Sequence, residues 1–396
     1  MSPTPPLPLA EAQARLLAMA EPLPAEEVPA QDALGRCLAA PLLARRTQPP
    51  ADLSAMDGYA MRAGEAGPWR IVGESAAGHP FSGTLGPGEA VRISTGALMP
   101  QGAGAVLLQE NAARDGGIVA LNGEGEPSAR HIRRAGFDFE EGDEILPAGI
   151  RIGPAQLALA ISGGNAALPV RRRPKIAILD SGDELAADPA RCGPHQIPAS
   201  NGAMIAGMVQ GLAGEILRLG PVADDLGALA SALGAAEAGA ADVVVTSGGA
   251  SVGDHDLIRP ALEAWGAEIS FWRVAIKPGK PLLVARKGPQ WILGLPGNPV
   301  SGFVTAFLFL LPLLRALSGN ANPLPQPLLL PLATALPAVG NRTEFQRAIA
   351  ASDSVKPLDE QDSSALRSLA AANALILRPA DAGPAEAGTL VPAYLL

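Results

Sequence analysis

Two lysines three residues apart, Lys277 and Lys280, sit in Ile276-Lys277-Pro278-Gly279-Lys280-Pro281. Shortly afterwards Asn298 stands between Pro296-Gly297 and Pro299, just ahead of Ser301. Proline fixes φ and removes an N–H, while glycine lets the backbone approach a ligand closely. Backbone of this kind gives up ordinary secondary structure to hold a few polar groups still. The chemistry it suits is anion binding, with the lysines as donors. Arg273 adds a third cation, and no acid lies between it and Lys280. At an effective dielectric of about 20, a charge pair about 4 Å apart is worth about 4 kcal/mol before desolvation. A dianion facing this segment would therefore bind even though the chain carries a net charge of −9.

A second segment, Thr246-Ser247-Gly248-Gly249-Ala250-Ser251-Val252-Gly253-Asp254-His255-Asp256, follows a strand pattern and leads into a helix pattern. Ser247, Gly248, Gly249, Ser251 and Gly253 are small enough for backbone N–H groups to reach an oxyanion, and a helix N-terminus adds positive potential. Asp254 and Asp256 then place carboxylates beside the anion, as for a phosphate-bridging Mg²⁺. The same segment also reads as a tight turn with either aspartate capping the helix.

Asp180-Ser181-Gly182-Asp183-Glu184-Leu185 and Asp224-Asp225 stand at comparable junctions. Taken singly, each is a helix cap. Taken together they gather carboxylates on one sheet edge, which calls for compensating cations. The segments Ser54-Ala55-Met56-Asp57-Gly58-Tyr59-Ala60 and Ile93-Ser94-Thr95-Gly96-Ala97 carry turn signals, and from its chemistry alone Asp57 is a turn residue.

These loops need elements to position them. Leu9 to Ala20 has helical spacing, with Glu11 early in the helix as the dipole favours. From Arg45-Arg46 to about Asp143, Gly and Pro punctuate short runs at Trp69 to Val72, Ala90 to Ile93 and Ala105 to Leu108, the pattern of a β-rich module. Leu157 to Ile161 reads as a short helix expected to pair with the N-terminal one.

From Arg173 the pattern alternates. Strands are expected at Lys175 to Leu179, Glu215 to Leu219, Asp242 to Thr246, Glu268 to Val274 and Trp291 to Leu295. Helices are expected after Ser200-Asn201, at Leu226 to Ala236, up to Trp265 and from Val300. This spacing implies a doubly wound, mostly parallel sheet whose ligands sit beyond the carboxyl ends of its strands. Asn320 to Pro327 reads as a linker, and the remaining residues as β-rich.

Composition sets outer bounds. At 396 residues the chain is too long for one core, and at 48% hydrophobic and 17% charged it can fill several. The acidic balance excludes general nucleic-acid or anionic-membrane binding as a working class. Cys37 and Cys192 are the only cysteines, too few for a disulfide framework or a thiolate zinc site. The Pro-rich start lacks a basic n-region, and the run from Phe303 to Leu314 is too short to span a bilayer. A cytoplasmic protein is the expectation.

In their order and spacing, these segments resemble the molybdopterin molybdenumtransferase family, which includes the E domain of gephyrin. The resemblance covers nearly the whole chain. It also rests on Arg134-Ala135-Gly136-Phe137-Asp138, Glu344-Phe345-Gln346-Arg347 and Gln361-Asp362-Ser363-Ser364. It implies a transferase of molybdenum cofactor synthesis that uses adenylylated molybdopterin, molybdate and Mg²⁺ or a similar divalent ion, and that releases AMP.

The implied fold has four parts: a helical segment (1–45 with 145–172), an inserted β-rich domain (46–144), an adenylyltransferase-like α/β domain (173–319) and a C-terminal β-barrel (320–396). The implied site takes Asp256 as metal ligand, with Asp225 and Glu184 supporting the nucleotide and metal region. Lys277, Lys280, Ser301, Arg342 and Ser363 would hold molybdate. Asp57, Thr95 and Asp138 would face the α/β domain of a partner subunit in a homodimer, in place of the turn reading of Asp57. Transient contact with a molybdopterin adenylyltransferase and with acceptor molybdoenzymes is a further expectation.

Two other readings stay open on sequence. One is an adenylyltransferase, which shares the Gly-rich loop and its sheet. The other is a dimeric scaffold that keeps the fold without the chemistry. Three positions depart from the family pattern: Ser181 stands where Thr is common, Gly104 where Asp often stands, and Asp362 puts an acid beside the oxyanion residues.

Overall fold

The computed structural model describes residues 6–248 and 257–396. At its centre is a six-stranded sheet in which Glu215–Val222, Lys175–Ser181, Val243–Ser247 and Gln290–Leu295 run parallel. Pro281–Lys287 and Glu268–Arg273 extend it antiparallel. The parallel strands are continuous apolar runs because helices cover both faces. Val243, Val244 and Val245 are all fully buried, with Val244 packing on one face and its two neighbours on the other. Asn201–Val209 and the Pro299–Leu317 helix cover one face; Leu226–Ala238 and Ile258–Ala264 cover the other.

The Pro281–Lys287 strand carries no separate signal in the sequence. It follows the lysine loop directly and pairs back onto Gln290–Leu295 as a hairpin. Entry to this domain is fixed by Arg172, which grips Asp242 with two hydrogen bonds of 2.7 and 2.9 Å, while the Lys175 N–H donates to the same carboxylate at 2.7 Å.

The apolar helix extends well beyond the run expected from sequence. Pro299–Leu317 is continuous over 19 residues with a mean hydropathy of 2.0, long and apolar enough to cross a membrane, yet 83% of it is buried in this fold. It reads as a core helix. Pro312 cannot donate to the carbonyl of Leu308 four residues earlier. The helix widens into a π turn over Ala306–Leu310, and Gln13 Nε2 donates to the Leu308 oxygen at 2.9 Å.

Gln13 comes from the first helix, Leu9–Ala18, which buries Ala12 and Leu16 in the α/β core. The expected pairing of this helix with the Leu157–Ile161 segment does not form. That second helix, Pro154–Ser162, packs in a separate core with Ala30, Leu38, Leu146 and Leu168. The apolar stripe of the first helix matches the Leu-rich central helix, and that burial decides where it goes.

The β-rich module is a six-stranded sheet in the order Ala105–Leu108, Gly58–Met61, Glu89–Ile93, Trp69–Ser75, Ile118–Leu121, Ala112–Asp115. The C-terminal sheet runs Ile276–Lys277, Thr343–Ala350, Ala374–Arg378, Leu390–Leu395, Leu328–Pro331, with Val355–Pro357 also paired to Thr343–Ala350. Its first strand comes from the α/β segment of the chain.

Candidate active site at the strand ends

A cleft of 1110 Å³ opens where the parallel strands end. One wall is the lysine loop, with Lys277, Gly279 and Lys280. A second is the 296–301 loop and the start of the core helix. The third comes from the C-terminal domain, through Arg342, Glu344 and Ser363.

The lysine loop is held at both ends. Val274 N–H donates to the Lys280 carbonyl at 3.3 Å, and Ile276 and Lys277 pair with Thr343 and Glu344 of the last domain. Gly279 adopts φ +109°, and a Cβ there would lie 2.6 Å from Thr305 Cγ2, so only glycine lets the loop turn against the helix. Lys277 Nζ meets Glu344 Oε1 at 3.0 Å. Lys280 is exposed and, among the described residues, makes no ion pair.

The opposite loops are stitched together. Asn201 Nδ2 donates to Gly297 O at 2.7 Å, Asn298 Nδ2 donates to Ser363 Oγ at 3.1 Å, and Val300 N–H donates to Ser363 O at 3.2 Å. Ser363 sits on a loop anchored by Arg347, whose side chain is 1% exposed. Its guanidinium donates to the carbonyls of Glu360 and Asp362, each at 2.9 Å, and Gln361 bonds both the N–H and the C=O of Arg347. The acid expected to oppose an anion, Asp362, is locally occupied. It accepts from the Ser364 hydroxyl and N–H, which hold its carboxyl below the usual range.

Acids gather on the remaining edge. Asp180, Glu184 and Asp224 line the cleft at the ends of the leading strands. Burial, together with Asp183 and Glu184, raises the Asp224 carboxyl against the Asp183 hydrogen bond. Asp180 is 4% exposed; its Oδ2 accepts from the Gly202 N–H at 3.2 Å, and its Oδ1 has no hydrogen-bond partner among the described residues. A Cβ on Gly202 would fall 2.1 Å from that carboxylate, so glycine is required for the close approach.

Burial pushes the Asp180 carboxyl up, against the pull of Arg218 and the Gly202 amide. The folded chain thus holds this proton more tightly than the unfolded chain. Stability is lost as pH rises from the unfolded aspartate value of about 3.9 through the raised one. Asp180→Asn should therefore be more stable than wild type at pH 7, by about 1 kcal/mol, with the difference vanishing near the acid end. Denaturant unfolding at several pH values checks this, and a less stable variant at pH 7 would refute it.

Of the residues singled out from sequence, Glu184, Ser247, Gly248, Lys277, Lys280, Pro296, Asn298, Pro299, Ser301, Arg342 and Ser363 come together around this cleft. Gly249, Ser251, Gly253 and Asp256 lie outside the described residues. Asp225 is the N-cap of Leu226–Ala238, where it accepts from the Ala228 N–H at 2.9 Å, and it is Asp224 beside it that lines the cleft. Arg273 is not among the cleft-lining residues.

Asp57, Thr95 and Asp138 are exposed on loops at one end of the β-rich module. Thr95 N–H donates to Asp57 Oδ1 at 2.6 Å, which lowers the carboxyl's pKa. Among the described residues that line the cleft, none comes from that module.

Sequence reasoning gave no role to Arg347. The available signal was an arginine two residues after Phe345, on the same inward face of an alternating strand. Gly104 has a packing reason: a Cβ there would sit 3.0 Å from that of Ala63.

Comparison with known proteins agrees with this architecture. A family model described as the MoeA N-terminal region (domain I and II) matches residues 7–164. A probable molybdopterin binding domain matches 177–316, and the MoeA C-terminal region (domain IV) matches 330–396. The chain is 35% identical over 333 residues to the molybdopterin molybdenumtransferase of Haemophilus influenzae, covering 82% of this chain and 81% of that protein. It is 31% identical over 409 residues to the Bacillus subtilis protein of the same name, covering 99% and 94%. A crystal structure of the molybdopterin biosynthesis MoeA protein from Pyrococcus horikoshii matches with a TM-score of 0.85 at 27% identity, covering 99% of this chain and 100% of that one. With three models in succession and full-length relatives, the chain belongs to the molybdopterin molybdenumtransferase family, a family of transferases.

Proposed function

We propose that the cleft takes adenylylated molybdopterin and molybdate, inserts molybdenum at the dithiolene and releases AMP. The observation that carries this reading is the segregation of charge across the cleft. Lys277, Lys280 and Arg342 stand with the hydroxyls of Ser301 and Ser363, where the two acids present are taken up locally, Glu344 by Lys277 and Asp362 by Ser364, while Asp180, Glu184 and Asp224 stand at the strand ends. The first set suits an oxyanion and the second a cation accompanying phosphate.

A molybdate oxygen attacks the adenylyl phosphorus and the bond from that phosphorus to the pterin phosphate breaks. The two dithiolene sulfurs then bond molybdenum while its bond to that oxygen breaks, so AMP leaves carrying the oxygen and the two thiol protons leave with an oxo group as water. No nucleophilic side chain is needed. The basic wall orients molybdate and stabilises the charge on it.

Mg²⁺ takes hard oxygen ligands and is commonly held by one or two carboxylates plus phosphate oxygens. Among the described residues no three metal-binding side chains cluster closely enough to hold an ion by themselves. The acidic edge at Glu184 and Asp224 would suit a phosphate-borne ion, for which Glu184 and, by the family resemblance, Asp256 would be the protein contacts; bound there, it would screen the phosphates.

The exposed loops of Asp57, Thr95 and Asp138 serve the cleft of a second subunit, so the working unit is a homodimer in the cytoplasm. The pterin substrate would come from an adenylyltransferase, and the product would go to acceptor molybdoenzymes. The chain divides at 45, 145, 173 and 320 as the sequence suggests. Its last part is barrel-like, a reading supported by the Leu332–Val355 bridge, which joins the end of Leu328–Pro331 to the Val355–Pro357 strand paired with Thr343–Ala350.

The test is AMP release from adenylylated molybdopterin with Mg²⁺, measured with and without molybdate. Release should depend on molybdate, and ¹⁸O-labelled molybdate should pass its label to AMP. Unlabelled AMP would exclude the attack described. Binding without release would instead indicate a scaffold, and ATP consumption with free molybdopterin an adenylyltransferase. Asp256→Ala should abolish turnover while the dimer remains folded; full activity in that variant would remove Asp256 from the site.

A further inference from the structure

A second basic cavity, of 220 Å³, lies at the other end of the α/β domain. Five arginines line it: Arg36 and Arg151 from the first module, Arg171 and Arg173 from the segment entering the α/β domain, and Arg315 from the last turn of the core helix. The two cavities share no lining residue. The Asn201–Val209 helix spans the distance between them, with Asn201 at the cleft and Met208 at the arginine cavity.

This is a marked concentration of charge. Five of the 30 lysines and arginines in a chain of net charge −9 meet at one small cavity. Among the described residues, only Arg36 has a carboxylate partner, Glu26. Arg151, Arg171, Arg173 and Arg315 donate instead to the backbone carbonyls of Gly35, Leu23, Leu34 and Pro323, at 3.3, 3.1, 3.4 and 3.2 Å. Arg36 Nε is buried with no partner.

The bland explanation is that the arginines balance helix dipoles. Two helices end here, and each carboxyl end carries about half a negative charge. Together with Glu26 they offset about two of the five charges, which leaves a surplus of about three. The crowding shows in the titration of the group. Burial, then Arg36 and Arg151, lowers Arg173, and burial, then Arg151, lowers Arg315.

We propose that this cavity binds a compact phosphate-class oxyanion carrying two or more negative charges, and that the anion ties the first module to the α/β domain. Guanidinium forks match the oxygens of such a group in pairs. The cavity is smaller than the ~300–1,000 Å³ typical of drug-sized ligands. That favours an inorganic anion, or the terminal phosphate of a larger molecule, over a whole nucleotide. The inference does not depend on the reaction assigned to the cleft.

The test is a calorimetric titration of the full chain, in buffer free of phosphate and sulfate, with pyrophosphate, orthophosphate and AMP. A Lys277→Ala/Lys280→Ala protein removes the basic wall of the cleft, so the binding it retains reports on the second cavity. That protein should keep one pyrophosphate site. Adding Arg151→Gln or Arg315→Gln should weaken it by about tenfold or more, the worth of a charge-assisted hydrogen bond. Arg151 is exposed, so its variant tests the site without disturbing a core.

Bound anion should raise the thermal midpoint, since it binds the folded chain. Comparable affinity for AMP would identify a phosphate borne by a larger ligand; binding of the inorganic anions alone would identify a free one. Loss of all binding in the lysine variant, no effect of either arginine variant, or an equal midpoint shift from chloride at matched ionic strength would overturn the proposal.

Discussion

Lys280→Ala should reduce molybdate-dependent AMP release by about 10²- to 10³-fold, the loss seen when one donor to a developing oxyanion is removed. The two lysines of the loop are not equivalent. Lys277 already spends its charge on Glu344 at 3.0 Å, and Glu344 is largely buried. Lys280 makes no ion pair among the described residues, so its charge remains for a ligand. Lys277→Ala should therefore cost less activity than Lys280→Ala, although its position in the strand ladder is the more constrained.

An exposed lysine contributes little to stability, and the Lys280→Ala protein should unfold within about 0.5 kcal/mol of wild type. Single-turnover AMP release and denaturant titration of the same samples separate the two effects. Activity within about threefold of wild type would mean that the oxyanion sits elsewhere.

Arg347→Met should destabilise the fold by about 2–4 kcal/mol and detach the Ser363 loop from the cleft. Methionine fills much of the same space but donates nothing. The Glu360 and Asp362 carbonyls would lose their guanidinium partners, leaving the turn held only by the bonds of Gln361 to the main chain of residue 347. Burial lowers the Arg347 pKa against the pull of Glu360 and Asp362, so the side chain is held for its geometry at some electrostatic cost. Arg347→Lys should recover little, because a single ammonium cannot reach two carbonyls as a planar fork does. Denaturant midpoints and molybdate affinity should fall together. Unchanged stability with lost affinity would show that Arg347 acts on the ligand directly.

The parallel strands were legible because buried strands are apolar on both faces, and Val243 to Val245 admits no other reading. The lysine loop and the 296–301 loop were legible because proline and glycine break regular structure at fixed places. Two kinds of information were hidden. Either Asp224 or Asp225 can cap a helix, and the resemblance pointed to Asp225 as the site residue. Only the geometry puts Asp225 on the Ala228 N–H and leaves Asp224 facing the cleft. Long-range pairing was also invisible. The Pro281–Lys287 strand begins with the proline of the lysine motif, and the first helix buries Ala12 and Leu16 against the central helix, with Gln13 bonding the carbonyl freed by Pro312. Such choices are set by complementary surfaces far apart in the chain, which no local window contains.

The short strand Ile276–Lys277 has a mechanical consequence. It hydrogen-bonds into the C-terminal sheet, while Glu268–Arg273 before it and Pro281–Lys287 after it belong to the central sheet. The chain crosses between two rigid bodies and returns within a few residues, like a rivet through two plates. Lys277 is tied to the last domain and Lys280 to the central sheet, through the Val274 N–H and the neighbouring Arg273–Pro281 pair, so a rotation between the two would tear one ladder or the other. The wall carrying Ser363 is also bonded to the α/β domain, through Asn298 and Val300, so the basic side of the cleft is clamped from both sides.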